Sequence, residues 1–183
     1  VLAAACVATS ACGGGGEKTA AIPSEDAPAA TATTTETEST PAPAPPSAAV
    51  KALAAKVPEN GKKRPRIPRP EGDPPKKLMI VDITKGSGPA VKSGDQVTVD
   101  YAGTSWSTGQ EFDASWKSGQ QFPFELGAGN VIQGWDLGVP GMKKGGRRLL
   151  VIPPEQGYGA QGSPPNIGPN ETLVFVVDLR KIG

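Results

Sequence analysis

The chain has 183 residues, with 19 basic and 18 acidic side chains and a net charge of +1. A balance this near neutrality excludes the basic footprint of a nucleic-acid binder. There is no histidine, which removes Ser-His-Asp and Cys-His catalysis and the common zinc ligand sets.

The first dozen residues, VLAAACVATSAC, are small and apolar, and polyglycine follows them. The run is shorter than the ~20 apolar residues that span a bilayer. It reads as the end of a secretory signal. Small residues followed by Cys are similar to the lipobox of bacterial lipoproteins. Cys12 is the expected lipidation site, because a flexible linker should begin just after an anchor, and Cys6 is the alternative. This implies an extracytoplasmic protein held to the outer face of the bacterial cell membrane, or a secreted one if the cysteine is incidental.

Residues 13–77 contain no aromatic residue, and 12 of the 20 prolines precede residue 78. Such a segment cannot bury enough apolar surface to offset its ordering entropy. It is expected to be a disordered linker, Pro/Ala/Thr-rich and then basic over KKRPRIPRPEGDPPKK (62–77). The basic stretch reads as solvated, with anionic phospholipid or a teichoic-type polymer as the sharper alternative. AVKALAAKV (49–57) has the length of two helical turns, marginal in isolation.

All nine aromatic residues fall between Tyr101 and Phe175. Residues 78–183 are therefore expected to form one folded domain, large enough to need no disulfide or metal. LMIVDIT (78–84) and QVTVDYAGT (96–104) alternate as half-buried strands do. KGSGPAVKSGD and STGQEFDASWKSGQQ read as loops, the latter anchored by Phe112. FPFELG (122–127) is a short strand; RRLLVIP (147–153) and TLVFVVDLRKI (172–182) are strongly β. A loop full of Gly and Pro joins the last two.

Only 131–142, VIQGWDLGVPGM, has the helical spacing of a domain element: Ile132, Trp135, Val139 and Met142 share a face. Pro140 and Gly141 stop it. Gly134 is expected to leave space open beside the Trp135 indole, and Gly138 to allow close helix–sheet packing. The fold class is α+β: an antiparallel sheet covered by one short helix.

Aromatics with polar company cluster at element ends, where concave sites form. The segments YAG, GQEFDASW, VIQGWD, GMKKGGRR, IPPEQGYG and TLVFVVDL stand in an order and spacing that resemble FKBP-type peptidyl-prolyl cis–trans isomerases. The resemblance covers residues 78–183. It implies a five- to six-stranded antiparallel sheet wrapped around one short helix, and a shallow apolar pocket for a prolyl ring. By motif, Trp135 would be the floor, with Tyr101, Phe112, Phe122, Val131, Ile132 and Phe175 as walls. The Ile132 N–H and the Tyr158 hydroxyl would bind peptide carbonyls. Asp113 would stand at the rim near the twisting amide, and Ile167 on the flexible loop over the site. No cofactor or metal is implied. The implied partners are proline-containing unfolded or partly folded proteins and macrolide inhibitors of the FKBP class, with the protein acting as a monomer.

Two positions depart from the pattern. Some relatives carry an Arg that pairs with the rim Asp; Ser118 stands there, with Lys117 beside it. A loop position that is His in some relatives is Ser163. Two other functions fit parts of the sequence. One is a non-catalytic module that holds proline-containing segments, which the same pocket would serve. The other is a carboxylate-pair hydrolase using Asp113 and Glu155, for which nothing fixes the spacing.

Overall fold

The two most continuous apolar runs, LLVI (149–152) and LVFVV (173–177), lie side by side in interior strands of one sheet. A computed structural model describes residues 42–59 and 63–183, which belong to one compact unit, Ser39–Gly183. Cys6, Cys12 and most of the Pro/Ala/Thr-rich segment lie outside the described residues.

The elements in order are α1 (Ala48–Ala55), β1 (Met79–Thr84), β2 (Ser87–Ala90), β3 (Gln96–Ser105), β4 (Glu111–Ala114), a helical turn α2 (Ser115–Ser118), β5 (Phe122–Glu125), α3 (Gln133–Gly138), β6 (Lys143–Lys144), β7 (Arg147–Ile152) and β8 (Leu173–Ile182). The six-stranded sheet runs β1-β7-β8-β3-β4, with β5 also pairing β3. Every pairing in it is antiparallel. β2, expected as loop, pairs with β6, to which the sequence assigned no element, in a separate two-stranded ribbon.

Side chains alternate across a strand, and both faces of β7 and β8 are covered. Leu150, Ile152, Leu173, Phe175 and Val177 point inward with Trp135, Val139 and Met142 of the α3 region. Leu149, Val151, Val174 and Val176 point the other way, into a second apolar cluster with Val50, Leu53, Ala54, Val57 and Ile67.

That second cluster corrects the linker boundary. Residues 42–59 and 63–77 were expected to be disordered, but they form an arm packed on the outer face of the sheet. Ser47 caps α1, its hydroxyl accepting the Val50 N–H at 3.3 Å. Without aromatics, the arm docks through small aliphatics onto a face the domain leaves apolar. Propensity alone would not hold a helix this short; tertiary packing does.

The arm is also tied by charge. Arg147, fully buried, donates bidentately to Asp178 at 2.6 and 2.7 Å. Its remaining donors reach the Pro58 and Lys63 carbonyls at 2.5 and 2.8 Å.

α3 is shorter than the apolar stripe suggested, six residues rather than twelve. The Gly134 expectation is also corrected. A Cβ there would lie 2.4 Å from Ile152 Cγ2, so the residue brings the helix onto β7 and does not open space beside the indole. Gly138 acts likewise against Leu150, at 2.8 Å. Arg148 finishes the helix by donating to the Gly138 and Pro140 carbonyls at 2.7 and 2.8 Å.

Candidate functional site

Beyond the N-terminal end of α3 the sheet edge is incomplete. One side of β3 pairs β5 through Gln96–Val99 and β4 through Ala102–Thr104. Between these ladders Tyr101 donates its N–H to the Ser115 hydroxyl at 2.9 Å. A cleft of about 590 Å³ opens beside this gap.

Every site residue expected from sequence lines it: Tyr101, Phe112, Asp113, Phe122, Val131, Ile132, Trp135, Tyr158, Ile167 and Phe175. Gly129, Asn130, Ser163, Pro164 and Asn166 join them on the lip. Trp135 is only 4% exposed. Tyr101 and Phe175 meet its ring edge-on, each with centroids 5.3 Å away, in the geometry aromatic quadrupoles favour. Phe122 approaches at 6.2 Å and stacks on Phe124, which the sequence reading passed over. Core and floor are thus one residue. Trp135 packs into the sheet on one side and lines the cleft on the other.

Phe112 owes its direction to an irregularity. β3 and β4 pair Gly103 with Asp113 and Thr104 with Glu111, leaving Phe112 as the extra residue of a bulge. Bulges re-aim side chains, and this one brings Phe112 edge-on to Phe175 at 5.4 Å. Gly103 makes room for the pair. A Cβ there would sit 2.7 Å from both Phe112 Cζ and Phe175 Cε1. Sequence reasoning missed Gly103, although a glycine inside an alternating strand is itself the signal of a bulge or close approach.

Asp113 is the single charged residue of the cleft lining among the described residues. Tyr101 donates to its Oδ2 at 2.5 Å, and the Ala114 N–H donates to Oδ1 at 2.8 Å. These partners answer how the carboxylate is held without the family arginine. Lys117 pairs instead with Glu111 at 3.1 Å, and the Ser118 hydroxyl donates to the Ser115 carbonyl at 2.9 Å. Burial, then the bond and charge of Asp113, push the Tyr101 hydroxyl far above its ordinary value. Burial and the Asp113 charge also raise Tyr158. Both stay protonated donors at neutral pH.

Two donors remain uncommitted. The Ile132 N–H and the Tyr158 hydroxyl have no protein acceptor among the described residues. Ile132 caps α3 with extended backbone. Asp136 accepts from the Gly127 and Gly129 N–H groups at 2.8 and 3.2 Å, fixing the loop that enters the helix. Ile167 differs from expectation. It is 5% exposed, belongs to the inner core, and is tied to Ser163 by two backbone bonds of 2.9 and 3.0 Å. The loop bearing it is therefore anchored at this point.

Residues 88–180 match the family model of the FKBP-type peptidyl-prolyl cis-trans isomerases. The chain is 52% identical over 117 residues to an FK506-binding protein of Streptomyces anulatus, covering 63% of this chain and 94% of that one. It is 46% identical over 116 residues to a probable FK506-binding protein of Corynebacterium glutamicum, covering 63% and 96%. The crystal structure of AtFKBP13 superposes with a TM-score of 0.55 at 34% identity, over 60% of this chain and 96% of that one. The chain belongs to the FKBP-type peptidyl-prolyl cis-trans isomerases.

Proposed function

We propose that the cleft takes the prolyl ring of an X-Pro segment onto Trp135 and lowers the barrier to rotation without covalent chemistry. The supporting observation is the pairing of an apolar floor with two uncommitted donors, the Ile132 N–H and the Tyr158 hydroxyl. Rotation about a peptide bond meets a barrier of about 18–20 kcal/mol. That barrier is amide resonance, and water strengthens it by solvating the polar planar form. An apolar wall of Phe112, Phe122 and Phe175 favours the twisted, less polar amide. Ile132 and Tyr158 hold flanking carbonyls so that rotation is confined to one bond. Asp113 stands beside the rotating amide, where its charge favours the carbonyl carbon end of a twisted bond. A millionfold acceleration corresponds to about 8 kcal/mol, shared among ring burial, desolvation and these contacts.

The partners on this reading are proline-containing, partly folded proteins outside the cytoplasm, whose folding the enzyme assists as a monomer. Lipidation at Cys12 would anchor it to the outer face of the membrane. Macrolides of the class named in its relatives would compete for the same cleft.

A proline-limited peptide assay tests the cleft. Acceleration blocked by such a macrolide and untouched by cyclosporin supports the reading; no acceleration, or the reverse inhibitor pattern, overturns it. Mass spectrometry of the N-terminal peptide from membrane extracts tests the anchor.

A further inference from the structure

The segment before the family-matched residues converges on one small part of the domain. Arg64 pairs with Glu111. Arg69 donates to the Ser107 carbonyl at 3.0 Å. The Trp106 indole N–H donates to the Gly72 carbonyl at 3.1 Å. Gly109 lies directly under Arg69: a Cβ there would be 2.8 Å from Arg69 Cγ. Three of these contacts fall on the turn joining β3 to β4, and the fourth on Glu111, the first residue of β4.

That turn leads straight into the bulge at Phe112. A bulged residue has no ladder partner, so its flanks must set its position. On one flank Ala114 is 3% exposed in the outer cluster, beneath the arm, and Ser115 is bonded to β3. On the other flank stands Glu111, gripped by Arg64 and Lys117. Burial raises the Glu111 carboxyl, but the two cations outweigh burial and hold it below its ordinary value. The basic Pro-rich stretch fits this use. Pro65, Ile67 and Pro70 are buried, Ile67 within the outer apolar cluster, while Arg64 and Arg69 reach Glu111 and the turn.

We propose that Arg64 and Arg69 are positioning residues for the isomerase site, holding the β3–β4 turn through Glu111 and the Ser107 carbonyl and so placing Phe112 and Asp113. The arm acts from the face opposite the cleft. This rests on the cleft being the proline site.

The test uses the full chain with a chromogenic X-Pro peptide. Arg64→Gln/Arg69→Gln is expected to raise KM about threefold to tenfold, with kcat within about twofold. The pair Arg64→Lys/Arg69→Lys should restore much of the loss. Glu111→Gln should raise KM by itself, and add less on top of Arg64→Gln than it does alone, because the two share one contact while Lys117 is the other partner of Glu111. A purely stabilising arm would lower the folded fraction, and with it the maximal rate, without moving KM; that outcome overturns the proposal. So does an unchanged KM, or additive effects of Arg64→Gln and Glu111→Gln. If wild-type protein itself fails to accelerate the peptide, the cleft reading falls, a result distinct from an active wild type with insensitive variants.

Discussion

The Tyr101 hydroxyl donates to Asp113 Oδ2 at 2.5 Å, joining the rim carboxylate of the cleft to one of its aromatic walls. Both residues sit beside the break in pairing along one side of β3, where Asp113 follows the bulge and Tyr101 has a strand partner, Val177, on the opposite side only. Tyr101→Phe keeps the ring and removes the donor. It should lower kcat/KM by about tenfold, the size of one charge-assisted bond, with melting temperature nearly unchanged. Equal activity in the two proteins would show that the orientation of Asp113 is immaterial to turnover.

Gly103→Ala should be more damaging than its single methyl group suggests. The added Cβ collides with Phe112 and Phe175 together. Overpacking of this kind costs about 1–3 kcal/mol, and relief requires one phenyl ring to leave the cleft. Peptide turnover should fall together with macrolide affinity. Denaturant unfolding separates the stability loss from the loss in the remaining folded enzyme.

Trp135→Ala and Phe112→Ala should both abolish measurable turnover, but they differ in stability. Trp135 is 4% exposed and belongs to the inner core, so its truncation should cost about 3–5 kcal/mol. Phe112 is only half-buried on the bulge and should cost markedly less. Turnover near wild type in Phe112→Ala would remove that wall from the site.

Arg147→Met should loosen the arm. The substitution leaves Asp178 buried with Arg180 as its remaining cationic partner, and releases the Pro58 and Lys63 carbonyls. Breaking a buried pair typically costs about 3–5 kcal/mol. Limited proteolysis should cut within 48–77 faster than in wild type, and the double variant Arg147→Met/Asp178→Leu should recover part of the global stability. An unchanged cleavage rate would mean that the Arg147 contacts do not hold the arm.

Glu111 gives stability an acid limb. Its folded value lies below the ordinary one, so the folded state binds the proton less tightly than the unfolded chain. The contribution is complete above the unfolded value of about 4.3 and is lost as pH falls through the lower folded value. Unfolding free energy of Glu111→Gln should therefore fall less steeply than wild type on acidification below about pH 5. Parallel curves for the two proteins would place the carboxylate outside this linkage.

Much of the domain is legible in the amino-acid sequence. Strand alternation at QVTVDYAGT, the stripe Ile132–Trp135–Val139–Met142 and the family motifs located most of the sheet, the helix and ten of the fifteen residues that line the cleft, because each signal is local in the chain. The apolar stretches LLVI (149–152) and LVFVV (173–177) also carried a second message. Strands apolar at successive positions are covered on both faces, yet a single helix covers one. What covered the other face was not readable, because the arm's Val50, Leu53, Val57 and Ile67 look like an ordinary sparse linker until the sheet offers them a surface.

Sequence by itself determined which residues could make an apolar cleft, since composition, period and motif are properties of the chain. Tertiary structure alone decided how they are aimed. The Phe112 bulge, the room left by Gly103, the Tyr101–Asp113 bond and the grip of Arg64 on Glu111 join residues through space. Contacts between residues 47 positions apart, as Arg64 and Glu111 are, leave no periodic trace in the chain. They exist only once the sheet has closed.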